Sequence, residues 1–257
     1  MSLSDFLATA REAALLAGEV LRSWGERFTI TEKSPANLVT EADLASQTAI
    51  HELIRGRYPD HNFLGEEGLD DSQRPSPFRW VIDPLDGTSN YAHRFPYYAV
   101  SIGLEQDGEV ICGVIYDPTR DELFSSVKGD GAKLNGVKLA TSQNHSLDKA
   151  MLMASLPVAV RPHHPSVNRF LRAISRAQTV QRSGSAALNL AYIAAGRIDG
   201  FWSTSLMPWD MAAGVLLVRE AGGIVTQLDG SGFRLERASL LAANGKSLHK
   251  EMIQLLN

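Results

Sequence analysis

The run Asp83-Pro84-Leu85-Asp86-Gly87-Thr88 carries two carboxylates three residues apart, directly after the apolar Trp80-Val81-Ile82. Such an apolar run reads as a buried strand that ends at Asp83, with Asp86 just beyond it. Two carboxylates so placed can converge on one point. Gly87 lets the backbone approach a ligand closely, and a helix beginning near Thr88 would aim free N–H groups at an anion. Carboxylates gather cations and helix starts gather phosphates. The pattern therefore points to metal-assisted chemistry on a phosphate ester.

Further acids could join the pair. Glu66 and Glu67 follow a short strand candidate at 62–65, Asp210 opens a helix, and Asp43 closes the capping-box pattern Thr40-Glu41-Ala42-Asp43. Each also has a plain structural reading: a cap for Asp43, a solvated acidic run for Glu66, a dipole-favoured acid for Asp210. No histidine lies within these motifs, and His93 comes nearest. An oxygen-only set favours Mg²⁺ or Mn²⁺ over Zn²⁺. Two carboxylates about 4 Å apart repel by roughly 4 kcal/mol at an effective dielectric of about 20, a large part of a typical stability of about 5–15 kcal/mol. Such a cluster takes up protons or binds cations. Neither a GxSxG elbow nor a phosphate or dinucleotide loop in the glycine-rich stretch 129–136 offers another route.

The elements that must position these groups follow from periodicity. Phe6, Ala10, Ala13, Ala17, Val20 and Trp24 mark one face of an amphipathic first helix. A short strand is expected at 29–33, an exposed, mobile loop at Ser34-Pro35-Ala36-Asn37, and a helix from the capping box to about Tyr58. A polar loop spans 69–77. Strands at 97–104, 110–116 and 123–127 follow, the first two joined by the hairpin signal Asp107-Gly108. Beyond about residue 145, strands at 151–155, 198–202, 224–228 and 240–243 alternate with helices at 167–177, 183–195, 210–221 and 246–256. No repeat or long linker appears, so residues 1–257 read as one domain of two halves, about 1–145 and 146–257.

A net charge of −4, from 25 basic and 29 acidic residues, gives no reason to expect general nucleic-acid or membrane binding. The single cysteine, Cys112, precludes an internal disulfide and fits a reducing cytoplasm. No apolar run approaches the roughly 18 residues of a membrane span, and no signal peptide is evident.

Taken together, four pieces resemble the inositol monophosphatase family of Mg²⁺-dependent phosphatases: Gly65-Glu66-Glu67; Trp80 to Tyr91; Gly184-Ser185-Ala186-Ala187; and Trp209-Asp210-Met211-Ala212-Ala213-Gly214 leading to Glu220-Ala221-Gly222-Gly223. Lys33 and Asp43 also fall at the family's positions. The resemblance implies a layered αβαβα sandwich, of mixed α/β class, and frequently a homodimer. It implies that Glu66, Asp83, Asp86, the Leu85 carbonyl and Asp210 hold two or three Mg²⁺ ions, with Mn²⁺ a possible substitute. Gly87 and Thr88 would bind the phosphate. Thr88, paired with Asp43, would help Glu66 orient a metal-activated water. Gly184, Ser185 and Ala186 would touch the alcohol part of a small phosphate-ester substrate.

One position departs from the pattern. Many family members carry a polyol-binding glutamate seven residues before the last ligand aspartate, where this chain has Ser203. A shifted substrate range follows as an expectation. Inositol monophosphate leads. Histidinol phosphate, fructose 1,6-bisphosphate and 3′-phosphoadenosine 5′-phosphate are the rival substrates, and binding to the transcription machinery is the non-enzymatic alternative. Arg161 and Arg182 are candidates for binding a second phosphate or a carboxylate.

Overall fold

The computed structural model describes residues 2–25, 27–34, 37–71 and 74–257. In chain order the helices are α1 (Leu3–Trp24), α2 (Glu41–Arg57), α3 (Thr88–Ala92), α4 (Pro165–Ile174), α5 (Ala186–Ala194), α6 (Pro208–Glu220) and α7 (Lys246–Leu256). The strands are β1 (Ile30–Ser34), β2 (Asn37–Thr40), β3 (Asn62–Gly65), β4 (Phe78–Asp86), β5 (Ala99–Gln106), β6 (Glu109–Asp117), β7 (Glu122–Val127), β8 (Gly131–Leu134), β9 (Val137–Lys138), β10 (Met151–Ala154), β11 (Thr179–Gln181), β12 (Gly200–Ser203), β13 (Ile224–Thr226) and β14 (Leu240–Ala243).

β1 and β2 form a small antiparallel pair. The large sheet runs β3-β4-β5-β6-β7-β8-β9 and is antiparallel except for β3 beside β4. The smaller sheet runs β11-β10-β12-β14-β13. Side chains alternate across β5. Val100, Ile102 and Leu104 join Phe6, Ala10, Ala17 and Ile50 of α1 and α2 in one core, while Gly103 faces α6. A Cβ on Gly103 would lie 2.8 Å from Ala212 Cβ, and one on its partner Gly113 2.9 Å from the Ala213 backbone. These two glycines let α6 lie almost on the sheet. α6 is buried on all sides between Met211 and Val218, as a helix between two sheets must be. Ala213 and Leu217 meet the large sheet, and Val215 and Val218 meet Phe201, Leu240 and Ala242 of the small one. The far face of the small sheet, with Leu152, Trp202 and Leu241, packs on Leu248 and Met252 of α7 and Ala173 of α4. The layers are helix, sheet, helix, sheet, helix, as expected.

Several boundaries differ from the sequence reading. Leu21, not Val20, completes the buried face of α1. β4 does not end at Asp83 but runs on to Asp86. The glycine-rich stretch 129–136, given no strand in the sequence reading, holds β8 and leads to β9, short strands that lack the apolar alternation of buried ones. β11 was likewise not visible as a strand. Of the loop at 34–37, Pro35 and Ala36 lie outside the described residues, as do the Lys33 side chain and positions 72–73 of the polar loop. No helix among the described residues is long and apolar enough to cross a membrane.

Candidate active site

Residues three apart on a regular strand face opposite sides, yet Asp83 and Asp86 share one. The register explains it. Asp83 pairs with Ser101 and Asp86 with Ala99, so three steps on β4 oppose two on β5. This bulge re-aims the second carboxylate. Pro84, which has no N–H for the ladder, falls within it. The Leu85 N–H turns back to Asp83 Oδ1 at 3.0 Å. Both aspartates then face α6, whose first turn carries Asp210. The Ser101 hydroxyl, opposite Asp83, donates to the Trp209 carbonyl at 3.3 Å and ties that turn to the sheet.

Carboxylate oxygens of Asp83, Asp86 and Asp210 lie within 4.8 Å of one another. Asp83 is 1% exposed and Asp86 8%. Burial, then the nearby Glu66, Asp86 and Asp210, push the Asp83 carboxyl well above the ordinary range. Asp210 is raised in the same way, first by burial and then by Asp86. Burial pushes Asp86 up to about 6, against hydrogen bonds that pull it down. Asp83, Asp86 and Asp210, which form no ion pair with a cation among the described residues, are a mutually repelling oxygen donor set that suits a hard divalent ion. Glu66 follows β3, where Gly65 pairs with Ile82, and its N–H donates to the Ile82 carbonyl at 3.3 Å. Register thus brings it beside Asp83.

Helix α2 holds this edge with one stripe. Asp43, Ser46 and Gln47 stand at i, i+3 and i+4 and share a face. Asp43 Oδ2 accepts from the Thr40 N–H at 2.9 Å and its hydroxyl at 2.6 Å. The Ser46 hydroxyl donates to the Pro84 carbonyl at 2.9 Å. Gln47 clamps Glu67 from both sides, donating to its carbonyl at 3.1 Å and accepting from its N–H at 3.2 Å. Sequence reasoning found Asp43 and missed Ser46 and Gln47. Three polar residues in a helical stripe that elsewhere buries Ala42, Ile50 and Ile54 were the available signal.

Gly87 caps α3 with φ 100°, and a Cβ there would sit 3.0 Å from the Tyr97 carbonyl oxygen. Thr88 Oγ1 lies 3.1 Å from Asp43 Oδ1 and 3.1 Å from the Leu85 carbonyl, so its one proton is shared between them. Ser185 caps α5 by accepting from the Leu188 N–H at 3.2 Å, and its hydroxyl donates to Asp86 Oδ2 at 2.5 Å. The Ala187 N–H reaches the same oxygen at 2.6 Å.

A cavity of about 500 Å³ adjoins the carboxylates, lined by Asp86, Asp210, Ser89, Asn90, Gly184 and Ala186 together with Ser155, Leu156, Val158, Arg182, Ser183, Ser205 and Leu206. Ser185 and Ser203 are fully buried and do not line it. Gly184 is held with φ 92° against Asn90, whose amide nitrogen would lie 2.7 Å from a Cβ there. Arg161 is exposed and lies outside the cavity wall.

The family model described as "Inositol monophosphatase family" matches residues 2–257. An inositol-1-monophosphatase of Synechocystis sp. is 44% identical, over 99% of this chain and 89% of that one. The Nus factor SuhB of Pseudomonas aeruginosa is 40% identical, over 95% and 93%. The crystal structure of the extragenic suppressor protein suhB from Bartonella henselae superposes with a TM-score of 0.92 at 35% identity, covering 98% of each chain. The layered sandwich is thus shared with solved relatives, and this chain belongs to the inositol monophosphatase family, whose members hydrolyse phosphate monoesters.

Proposed function

We propose that the protein is a divalent-metal-dependent phosphomonoesterase acting on inositol monophosphate or a related small alcohol phosphate. The observation that carries this reading is the convergence of Asp83, Asp86 and Asp210 within 4.8 Å, with Asp86 and Asp210 lining a cavity. Those three, with Glu66 and the Leu85 carbonyl, would hold two or three Mg²⁺ ions, or Mn²⁺ in their place. Bound cations at such a site polarise the phosphate, lower the pKa of water and neutralise the leaving oxygen.

The chain's own groups have separable tasks. The backbone N–H groups after Gly87 point out of the first turn of α3 and suit a phosphate oxygen. Thr88 Oγ1, whose proton leans on Asp43 Oδ1, can accept a proton from the attacking water while passing its own to Asp43. Burial raises the proton affinity of Asp43, which makes it the better sink. Glu66 stands on the same side and would orient that water. Ser185 and Ala187, both bonded to Asp86 Oδ2, hold one ligand oxygen still, as outer partners of metal ligands do. Gly184 and Ala186 offer backbone surface to the alcohol. Neither fully buried serine, Ser185 or Ser203, reaches it in this geometry.

The test is phosphate release from a panel of inositol 1-phosphate, histidinol phosphate, fructose 1,6-bisphosphate and 3′-phosphoadenosine 5′-phosphate, with Mg²⁺ and with chelator. Mg²⁺-dependent release that Asp83→Asn abolishes is the expected result. Equal release by that variant would reject the site. The relative named a Nus factor supports a second reading, association with the transcription machinery; co-purification with RNA polymerase would reveal it, independently of the metal ligands. We also infer a cytoplasmic homodimer from the family resemblance, and sedimentation analysis checks the dimer.

A further inference from the structure

Two segments far apart in sequence meet beside the acidic cluster: 86–90, which runs from Asp86 into α3, and 183–187, which leads into α5. They are stitched together at both ends. At one end the Ser185 hydroxyl and the Ala187 N–H converge on Asp86 Oδ2 at 2.5 and 2.6 Å. At the other end the Asn90 amide nitrogen donates to the Ser183 carbonyl at 2.9 Å and to the Tyr97 carbonyl at 2.7 Å. Carbonyl oxygens only accept, so the amide is oriented and both of its protons are engaged. Neither partner belongs to α3, so these bonds do not serve that helix itself.

A ring closes behind the amide. The Ser183 hydroxyl donates to Asn189 Oδ1 at 2.7 Å, and the Tyr97 hydroxyl donates to the same oxygen at 3.1 Å. Asn189 is fully buried, and its amide nitrogen has no partner among the described residues. A half-satisfied buried amide is unfavourable by itself, and here its oxygen fixes Ser183. That residue is thus held by its carbonyl from one side and by its hydroxyl from the other. Gly184 stands between the two stitches with φ 92°, and the Asn90 amide fills the space where a Cβ would point, its nitrogen 2.7 Å and its oxygen 2.9 Å from that position. Residues 183 to 185 have no slack between Asn90 and Asp86.

We propose that Asn90 is a positioning residue for the metal site: its amide holds Ser183, and through Ser183 and Gly184 it keeps the Ser185 hydroxyl and the Ala187 N–H on Asp86 Oδ2. The proposal rests on the phosphatase reading above, in which Asp86 is a metal ligand. Groups that orient a ligand oxygen govern how tightly the metal is held, and Asn90 acts one step further out. Without its amide, 183–185 can swing away and Asp86 loses its fixed partners. Asn90→Ala leaves the two carbonyls to water. Asn90→Asp sets a carboxylate oxygen against both and pushes the segments apart.

The experiment is a calorimetric titration of the chelator-treated protein with Mg²⁺, for the wild type, Asn90→Ala, Asn90→Asp, Ser185→Ala and the double variant Asn90→Ala with Ser185→Ala. Kinetics on the panel ester that the wild type hydrolyses fastest, and melting curves in chelator, run alongside. The Mg²⁺ Kd should rise about three- to tenfold in Asn90→Ala and about ten- to a hundredfold in Asn90→Asp. At saturating Mg²⁺ kcat should stay within about threefold of wild type, because every direct ligand is intact. The double variant should bind Mg²⁺ no more than about twofold more weakly than the weaker single variant, since both changes loosen one oxygen. An unaltered Kd in both Asn90 variants, with only a lower melting temperature in chelator, would mark a packing role and overturn the proposal. So would losses that multiply in the double variant. If Asn90→Asp does not fold, Asn90→Ala and the double variant decide. Mg²⁺ binding and phosphate release that no Asn90 variant alters would sink this proposal and leave the phosphatase reading standing. A wild type that binds no Mg²⁺ would reject both.

Discussion

Around the acidic cluster Asp83 and Asp86 hang from β4, Asp210 from α6, Asp43 from α2 and Thr88 from α3, whereas Ser155, Leu156, Val158, Arg182 and Ser205, which line the adjoining cavity, all come from connecting segments. Metal and phosphate geometry tolerates errors of tenths of an ångström, and only packed elements hold side chains that well. The alcohol wall needs only shape and one or two polar groups, and loops can vary there without disturbing the sheets. On the function proposed above, the reaction and its substrate range would thus be set by different parts of the chain.

The most severe break of this contrast is at the rigid end. Asp83→Asn should lower kcat about a thousandfold or more, because several kcal/mol of charge stabilisation leave with the cation. In chelator at pH 8 the same variant should melt above the wild type. It removes a buried charge that its neighbours oppose and keeps an oxygen for the Leu85 N–H. A gain of about 1 kcal/mol would raise Tm by roughly 2–4 °C. A lower melting temperature in chelator would show that the acids do not strain the metal-free fold.

Next in size is Gln47→Ala, which frees both backbone groups of Glu67 and leaves every direct ligand in place. The Mg²⁺ concentration for half-maximal activity should rise about ten- to a hundredfold, read from a metal titration. An unchanged titration would mean that the strand register alone fixes Glu66.

The third test is a pH series of melting curves with and without Mg²⁺. The Asp86 carboxyl stands at about 6 in the metal-free protein, against an ordinary 3.8. Its raised value contributes stability that is complete below the ordinary value and lost as pH rises through about 6. Protons and cations compete for the same oxygens. The melting shift produced by Mg²⁺ should therefore grow between pH 5 and pH 7.5, and a shift constant over that range would contradict it. Smallest is Val158→Ala on the loop wall. Val158 is 55% exposed, so KM should move only about two- to fivefold. A fall in kcat as large as that of Asp83→Asn would abolish the division between the two ends.

Much of this was legible in the residues. Asp83 and Asp86 after an apolar run and the Asp210 helix start mark the acids that the fold brings within 4.8 Å of one another, Gly87 caps α3 as its type suggests, and the capping box at Thr40 and Asp43 forms where its pattern places it. What stayed hidden depends on pairing partners. The bulge exists only as a mismatch between β4 and β5, and no property of 83–86 alone reveals which residues of β5 will oppose it. Gln47 acts on a loop twenty residues away in sequence. The serines at 185 and 203 look like surface residues by type, yet tertiary packing buries both.

The irregular pairing between β4 and β5 has a consequence for inheritance and design. Removing one residue between Ile82 and Gly87 would restore a regular ladder and turn one acid toward the opposite side of the sheet. The same composition in a shorter stretch would fold and be inert. Homologous chains can exchange Leu85 for other apolar residues more safely than they can lose a position here, and anyone transplanting this centre into another scaffold must carry over the miscount along with the acids.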